Sequence, residues 1–151
     1  MKLRNAQPED INAIIRLVKE GLKEFGFVYS PKTSEADIEH FVETYSKNDG
    51  AFIVIEQGNE LIATGALLRV SEGKYKIRKM YVAIAFRNQG LGKKILEALL
   101  KEAKLKKANE VVLETSKMMT AAISLYRSYG FKEIDQKPES PRCDVVMRLE
   151  A

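Results

Sequence analysis

The chain has 151 residues, 45% hydrophobic and 30% charged, a balance that fits one folded domain and excludes a disordered or fibrous protein. No run approaches the roughly 18 apolar residues of a membrane span, and Met1-Lys2-Leu3-Arg4 leads into polar sequence without an apolar signal core, so a cytoplasmic protein with no membrane association is expected. A single cysteine, Cys143, excludes an internal disulfide and a Cys-rich zinc site. The net charge of +4 is local: between residues 93 and 107, six lysines (93, 94, 101, 104, 106 and 107) stand against Glu97 and Glu102, and the rest of the chain balances.

Pro8-Glu9-Asp10 opens a helical pattern whose apolar residues Ile11, Ile14, Ile15, Val18 and Leu22 fall on one stripe, with Pro8 in the first turn where its missing N–H costs nothing. Gly21 to Thr33 mixes glycine, aromatic residues and Pro31 and reads as an irregular loop. A second helix starting at Thr33 or Ser34 is expected to bury Ile38, Phe41, Val42 and Tyr45. The period then changes. Ala51–Glu56 and Leu61–Val70 are β-rich runs joined at Gln57-Gly58-Asn59-Glu60, and Ser71-Glu72-Gly73-Lys74 turns into Tyr75–Ala83, giving three antiparallel strands in sequence.

From Gly90, a wide stripe of Leu91, Ile95, Leu96, Leu99, Leu100 and Ala103 predicts a helix packed on a sheet. Val111–Ser116 reads as a short buried strand and Ala121–Tyr129 as a helix closed by Gly130. Phe131–Ile134 and Cys143–Leu149 read as the closing strands, joined by a loop containing Pro138 and Pro141. The order β-α-α-β-β-β-α-β-α-β-β predicts a single α/β domain of the α+β type over residues 1–151, its mixed, mostly antiparallel sheet flanked by about four helices.

The most informative stretch is Arg87-Asn88-Gln89-Gly90-Leu91-Gly92-Lys93, between a strand and the lysine-rich helix. A helix N-terminus offers free backbone N–H groups and about half a positive charge, and glycine lets the backbone approach an anion without a Cβ in the way. Arg87 and Lys93 add formal charge at the same place, so the turn reads as a phosphate or pyrophosphate cradle. It is not a dinucleotide fingerprint, since Ile95 stands where the third glycine belongs, and not a Walker loop, since Ile95-Leu96-Glu97 stands where Gly-Lys-Ser/Thr belongs. Two glycines alone are equally consistent with a tight strand-to-helix turn.

Taken with its neighbours, the turn says more. Met80-Tyr81-Val82, then Arg87-x-x-Gly90-x-Gly92, then Leu113-Glu114-Thr115, then Ala122-x-x-Leu125-Tyr126-x-x-x-Gly130-Phe131 resembles the GNAT superfamily of acyl-CoA-dependent N-acetyltransferases. The specific match runs from Ile77 to Phe131, and the element order extends it over nearly the whole chain. The resemblance implies direct transfer of acetyl from acetyl-CoA to the primary amine of a small metabolite or amino-acid-like acceptor, with no metal and no covalent enzyme intermediate. It implies that Arg87 and the amides of Asn88, Gln89, Gly90, Leu91, Gly92 and Lys93 hold the pyrophosphate. The backbone at Met80, Tyr81 and Val82 would bond the pantetheine arm like an added strand. A β-bulge there would splay this strand from Val111–Ser116, and a nearby backbone N–H would polarise the thioester carbonyl.

Tyr126 takes the family position of the general acid for the departing thiolate; its reference pKa of ~10 exceeds the ~8.5 of a thiol, so it would stay protonated. The bland alternative is an aromatic on the packed face of a short helix. The chain departs from the family in two places: Met119 stands where an Asn usually contacts the cofactor arm, and Lys76 and Arg78 stand where a Glu or His base is often found. Glu114, whose pKa burial would raise, is the best remaining carboxylate base, with a structural Glu or an ordered water as alternatives.

Lys76 and Arg78 would favour an acceptor that carries a carboxylate, unless they only alternate outward as strand charges do. Phe25, Phe27 and Tyr29 lie in the loop expected over the acceptor, where they could equally plug the core. His40, the only histidine, is a remote candidate for substrate contact, and Cys143 is expected to be a buried or edge-strand thiol. Lysines 101 to 107 read as a solvated helix face rather than a nucleic-acid contact, because no aromatic interleaving accompanies them. A homodimer is compatible with the resemblance. A non-catalytic acyl-CoA-binding module with the same fold is the alternative to an enzyme.

Overall fold

In the computed structural model, which describes residues 1–150, the chain forms β1 (Lys2–Asn5), α1 (Ile11–Glu24), α2 (Ala36–Glu39), α3 (Phe41–Thr44), β2 (Ala51–Gln57), β3 (Glu60–Ser71), β4 (Lys74–Val82), α4 (Leu91–Leu105), β5 (Glu110–Thr115), α5 (Thr120–Ser128), β6 (Lys132–Ile134) and β7 (Val145–Glu150). The seven strands make one sheet in the order β1-β2-β3-β4-β5-β7-β6. Every neighbouring pair is antiparallel except β4 and β5, which run parallel. This is the mixed, mostly antiparallel sheet the element order predicts.

Strand alternation divides the core into two layers. Ile53, Ile55, Ala63 and Leu67 face α4 and α5, while Phe52, Val54 and Ala66 face α1 to α3. The α4 layer rests on a close approach at Gly65, where a Cβ would lie 2.3 Å from Cγ2 of Ile95. A side chain at residue 65 would therefore lift α4 off the sheet.

The first two helices differ from the sequence reading. Helix α1 does not stop at Gly21 but continues to Glu24, burying Ile14, Leu17, Val18 and Leu22. Gly21 is a packing residue inside the helix, because a Cβ there would lie 2.3 Å from Cδ1 of Tyr81. Helical propensity costs about 1 kcal/mol for such a glycine, and the contact with Tyr81 offsets it. The expected second helix is broken at His40 (φ −125°, ψ 38°) into two single turns. Ile38, Phe41 and Tyr45 are buried as expected, with Phe41 and Tyr45 each 5.4 Å from the ring of Phe52, whereas Val42 is only half-buried.

Candidate active site

The site begins with a fault in β4. Strand β3 advances from Thr64 to Ala66 while its partner β4 advances from Tyr81 back to Arg78, so one extra residue is accommodated in β4. Lys79 takes it up with a left-handed φ of 56°, and its carbonyl accepts a 2.8 Å hydrogen bond from Thr64 Oγ1. The bulge changes the parity of the strand. Tyr75 and Ile77 face the α4 layer, and beyond the bulge that face is taken by Met80 and Val82, so Arg78 and Lys79 are adjacent residues on the opposite side.

The same region parts the sheet. Strands β4 and β5 pair only from Lys74–Glu110 to Lys76–Val112, and beyond that their facing edges separate. The gap is a cleft of about 450 Å³ walled by β4 residues 76–81, β5 residues 113–116 and the loop 139–143. Backbone groups of β4 from Ile77 onward that would have paired with β5 face this gap instead.

Tyr126 enters the cleft from α5 and is buried, packed edge-on against Phe131 at 5.9 Å. Its hydroxyl has one weak partner, the Sδ of Met80 at 3.5 Å, and burial pushes its pKa up to about 12. Met80 and Tyr81 both line the cleft, and Val82 lies just beyond it with its carbonyl accepting from Arg87 Nε at 3.2 Å. Met119 lines the cleft too and brings a thioether where an amide would offer a donor and an acceptor. The Cys143 thiol also faces the cleft, and burial pushes its pKa upward, so it stays protonated and is a poor nucleophile.

Glu114 lies in the cleft wall, but its state is the reverse of the one expected. Burial alone would push its carboxyl up, yet the N–H groups of Glu139 (2.9 Å) and Ser140 (3.0 Å) and Lys76 Nζ at 3.1 Å hold it below the usual carboxylate range. A carboxylate saturated with donors is a weak proton acceptor, and here it fastens the 139–140 loop to β5. His40 is exposed and takes no part in the cleft wall. Phe27 lines the cleft beneath Arg142, at 5.4 Å, while the Tyr29 hydroxyl donates to Glu39 at 2.7 Å and Phe25 is not part of the wall.

A charged network at the far end of the cleft was missed by sequence reasoning. Glu35 is fully buried; its carboxylate takes Arg142 at 2.8 and 3.1 Å, Lys79 Nζ at 3.1 Å and the N–H of Ser30 at 2.8 Å. Asp37 accepts a short hydrogen bond from the Tyr45 hydroxyl and lies 3.4 Å from Lys79. One signal for it was visible: Lys76-x-Arg78-Lys79 breaks the alternation of β4 with two consecutive charges, as a bulge requires.

The glycine turn lies where β4 hands over to α4. Asn88 (φ 63°) and Gly90 (φ 77°) are left-handed, and Gly90 is followed directly by the right-handed turns of α4. That alternation turns successive amides toward one side. The first helical hydrogen bond of α4 is Lys94 N–H to Gly90 O at 3.1 Å, so the N–H groups of Leu91, Gly92 and Lys93 are free for an anion. Helix α5 links this turn to the cleft: Leu125 packs toward Gly92, whose Cβ would lie 3.7 Å from Leu125 Cδ2, and Tyr126 beside it enters the cleft. The Arg87 guanidinium is directed at Glu24 of α1 rather than at the turn's amides.

A bulged strand splayed from its parallel neighbour, a helix N-terminus with free amides and a buried tyrosine together define an acyl-transfer architecture, and comparison with known proteins agrees. The model of the acetyltransferase (GNAT) family matches residues 14–131. An uncharacterized N-acetyltransferase of Escherichia coli strain K12, YjgM, is 28% identical over 138 residues, which cover 88% of this chain and 83% of the relative. Among solved structures, a GNAT-family acetyltransferase from Staphylococcus aureus Mu50 has a TM-score of 0.89 over 99% of this chain and 98% of its own, at 19% identity. The putative acetyltransferase yncA of Salmonella typhimurium, solved with acetyl-CoA, has a TM-score of 0.81 over 99% and 93% of the two chains, at 20% identity. The chain belongs to the GNAT family and is an acyl-CoA-dependent N-acetyltransferase.

Proposed function

We propose that the protein transfers the acetyl group of acetyl-CoA directly to the primary amine of a small, amino-acid-like acceptor, with Tyr126 as the general acid. The observation that carries this reading is the buried Tyr126 hydroxyl, facing the gap between β4 and β5 with only the Met80 sulfur at 3.5 Å as partner and its pKa raised to about 12 by burial. A phenol pushed up to about 12 is protonated at neutral pH, so Tyr126 can donate to the departing sulfur as negative charge develops there. As the new C–N bond forms and the C–S bond breaks, the Tyr126 proton passes to sulfur, and solvent restores it.

The other components support the same chemistry. The free amides of Leu91, Gly92 and Lys93, together with those of Asn88, Gln89 and Gly90, fit a pyrophosphate, with Lys93 adding charge. Arg87 would join them by leaving Glu24. The unpaired edge of β4 around Met80, Tyr81 and Val82 fits the amides of a pantetheine arm and offers an N–H to the thioester carbonyl. For the proton lost by the amine, water is the acceptor that the geometry favours, because the Glu114 carboxylate is already occupied by Lys76 and two backbone amides.

Release of free CoA across a panel of primary amines tests the reading. Saturable, amine-dependent release is expected, and Tyr126→Phe is expected to reduce it while leaving acetyl-CoA binding in place. Binding of acetyl-CoA with no turnover on any amine would instead identify a non-catalytic acyl-CoA-binding module.

A further inference from the structure

Four cations belong to the wall at the acceptor end of the cleft: Lys76, Arg78, Lys79 and Arg142. Three acids that are buried or nearly so face them: Glu35, Asp37 and Glu114. Glu139 also belongs to the wall, but it is exposed and its backbone N–H is given to Glu114. Exposed charge is screened by solvent, so within the desolvated part of the wall one positive charge lacks a partner of its own.

The distances identify which one. Lys76 is matched to Glu114 at 3.1 Å, in a pair whose side chains are 16% and 7% exposed. Arg142 is matched to Glu35 by two hydrogen bonds, donates to the carbonyl of Val28 at 2.7 Å and stacks over Phe27. Lys79 is 7% exposed, donates to Ser34 O at 2.8 Å and Glu35 at 3.1 Å, and lies 3.4 Å from Asp37 Oδ1, a buried oxygen that accepts no hydrogen bond among the described residues. Arg78 is left with the longest contacts of the set: Ser34 O at 3.5 Å and Asp37 Oδ2 at 3.7 Å, an oxygen already engaged by the Tyr45 hydroxyl. Its side chain is 30% exposed, the most open of the four.

We propose that Arg78 is the specificity-determining residue for the acceptor and that it takes a carboxylate on the amine substrate through its guanidinium. This rests on the acetyltransferase reading above and deepens it by naming the substrate class and the residue that selects it. A guanidinium presents five N–H donors in a planar fork that fits a carboxylate with two parallel hydrogen bonds. When Arg78 turns to a substrate, Asp37 keeps the Tyr45 hydroxyl on Oδ2 and the Lys79 charge 3.4 Å from Oδ1. The bulge supplies the geometry: by putting Arg78 and Lys79 on one face, it lets Lys79 serve Glu35 and Asp37 while Arg78 remains available.

The test measures kcat and KM for amino acids against their carboxamides and the decarboxylated amines, at saturating acetyl-CoA, for wild type, Arg78→Gln, Arg78→Lys and Lys76→Gln. Wild type is expected to prefer the carboxylate-bearing acceptor by about 10-fold or more in kcat/KM, as expected for hydrogen bonds to a charged group. Arg78→Gln is expected to abolish that preference through a rise of about 10- to 100-fold in acceptor KM, with KM for acetyl-CoA within about 2-fold of wild type. Arg78→Lys should restore part of the preference, because the charge remains and the fork is lost, and this variant guards against a folding defect in Arg78→Gln. Lys76→Gln should keep the preference.

A preference that survives in Arg78→Gln, or one that disappears in Lys76→Gln instead, overturns the assignment. So does a wild-type enzyme that works best on the decarboxylated amines, although that result leaves the acetyltransferase reading standing. No CoA release on any amine, with acetyl-CoA bound, overturns both.

Discussion

The cleft and the turn that heads α4 are made of different materials. At the start of α4 the donors are backbone amides, and their direction is fixed by two left-handed residues, Asn88 and Gly90, within a few residues of the groups they orient. At the acceptor end the donors are side chains, and their direction is fixed by acids far away in sequence: Lys79 meets Glu35 across 44 positions and Arg142 meets it across 107. The first arrangement presents main-chain donors and has no side-chain identity to lose. The second can be re-specified by one substitution, which suits a constant acyl donor at one end and an acceptor of its own at the other.

The sharpest way to break the acceptor end is to remove its buried anchor. Glu35→Ala strands Lys79 and Arg142 in a desolvated wall, and breaking a buried pair in this way costs about 3–5 kcal/mol. In a chain of this size that corresponds to a fall in melting temperature of about 6–20 °C, read by calorimetry. The effect has a pH signature. Burial pushes the Glu35 carboxyl up, but Arg142, the Ser30 amide and Lys79 outweigh it and hold the group below its ordinary range. A depressed carboxyl contributes its full stability above its unfolded pKa of about 4.3 and loses it as pH falls through the lower folded value. The melting gap between wild type and Glu35→Gln should therefore be widest near neutral pH and narrow below about pH 4. A gap independent of pH would mean that Glu35 acts through packing alone.

Tyr126, the residue we propose as proton donor, enters the cleft from α5. Tyr126→Phe keeps the ring against Phe131 and removes only the hydroxyl, so the predicted result is a loss of about 100-fold in kcat with KM for acetyl-CoA changed by less than about 2-fold. Because burial pushes the wild-type hydroxyl up to about 12 in the free protein, a basic limb in the kcat/KM profile below pH 10 or so belongs to another group and should persist in Tyr126→Phe. Turnover unchanged by the substitution would make Tyr126 a packing residue.

The contrast between the ends also explains what could be read from the sequence. The element order, the place of the glycine turn at the head of α4 and the place of Tyr126 on α5 were legible because each is set by local pattern: strand and helix periods, two glycines before a lysine helix, and an aromatic four residues ahead of a helix-ending glycine. The extent of α1 was not, because Gly21 is a helix breaker by propensity and becomes a helix residue only through the Tyr81 ring, 60 positions away. The direction in which the Glu114 carboxyl is shifted was not legible for the same reason. Burial was inferable from the strand, but the two amides that hold its charge come from the 139–140 loop. The pairing of Arg142 with Glu35 is set only by the folded topology, so which cation remains unpaired was not legible from Lys76 and Arg78 alone.

Breaking the backbone end takes a change of conformation rather than of charge. Gly90→Val puts a β-branched residue at φ 77°, which costs about 1–2 kcal/mol and turns the first amides of α4 away from their common side. The expected outcome is a KM for acetyl-CoA raised by about 10-fold, with the ratio of acceptor preferences unchanged. A variant whose acceptor preference shifts while its acetyl-CoA KM holds would show that the two ends are not independent.

The smallest predicted effect is at Glu114, and its smallness is the point. If this carboxylate removed the amine proton, Glu114→Gln would delete the base and lower kcat by about 100-fold or more. The structure gives it another occupation: two backbone amides and Lys76 donate to it, and they hold its pKa below the usual range, which weakens it as a base. A glutamine with its oxygen at the Oε2 position keeps the Glu139 amide and Lys76, and loses the charge and the hydrogen bond from the Ser140 amide to Oε1. The expected kcat is within about 3-fold of wild type, with the acid limb of its pH profile unmoved. Lys76 would then be a second unpaired cation in the wall, so Glu114→Gln should hold or tighten the preference for carboxylate-bearing acceptors. A collapse in kcat would return Glu114 to the role of base, and a loss of acceptor preference at constant kcat would show that the 139–143 loop, more than the charge on β4, shapes the acceptor end.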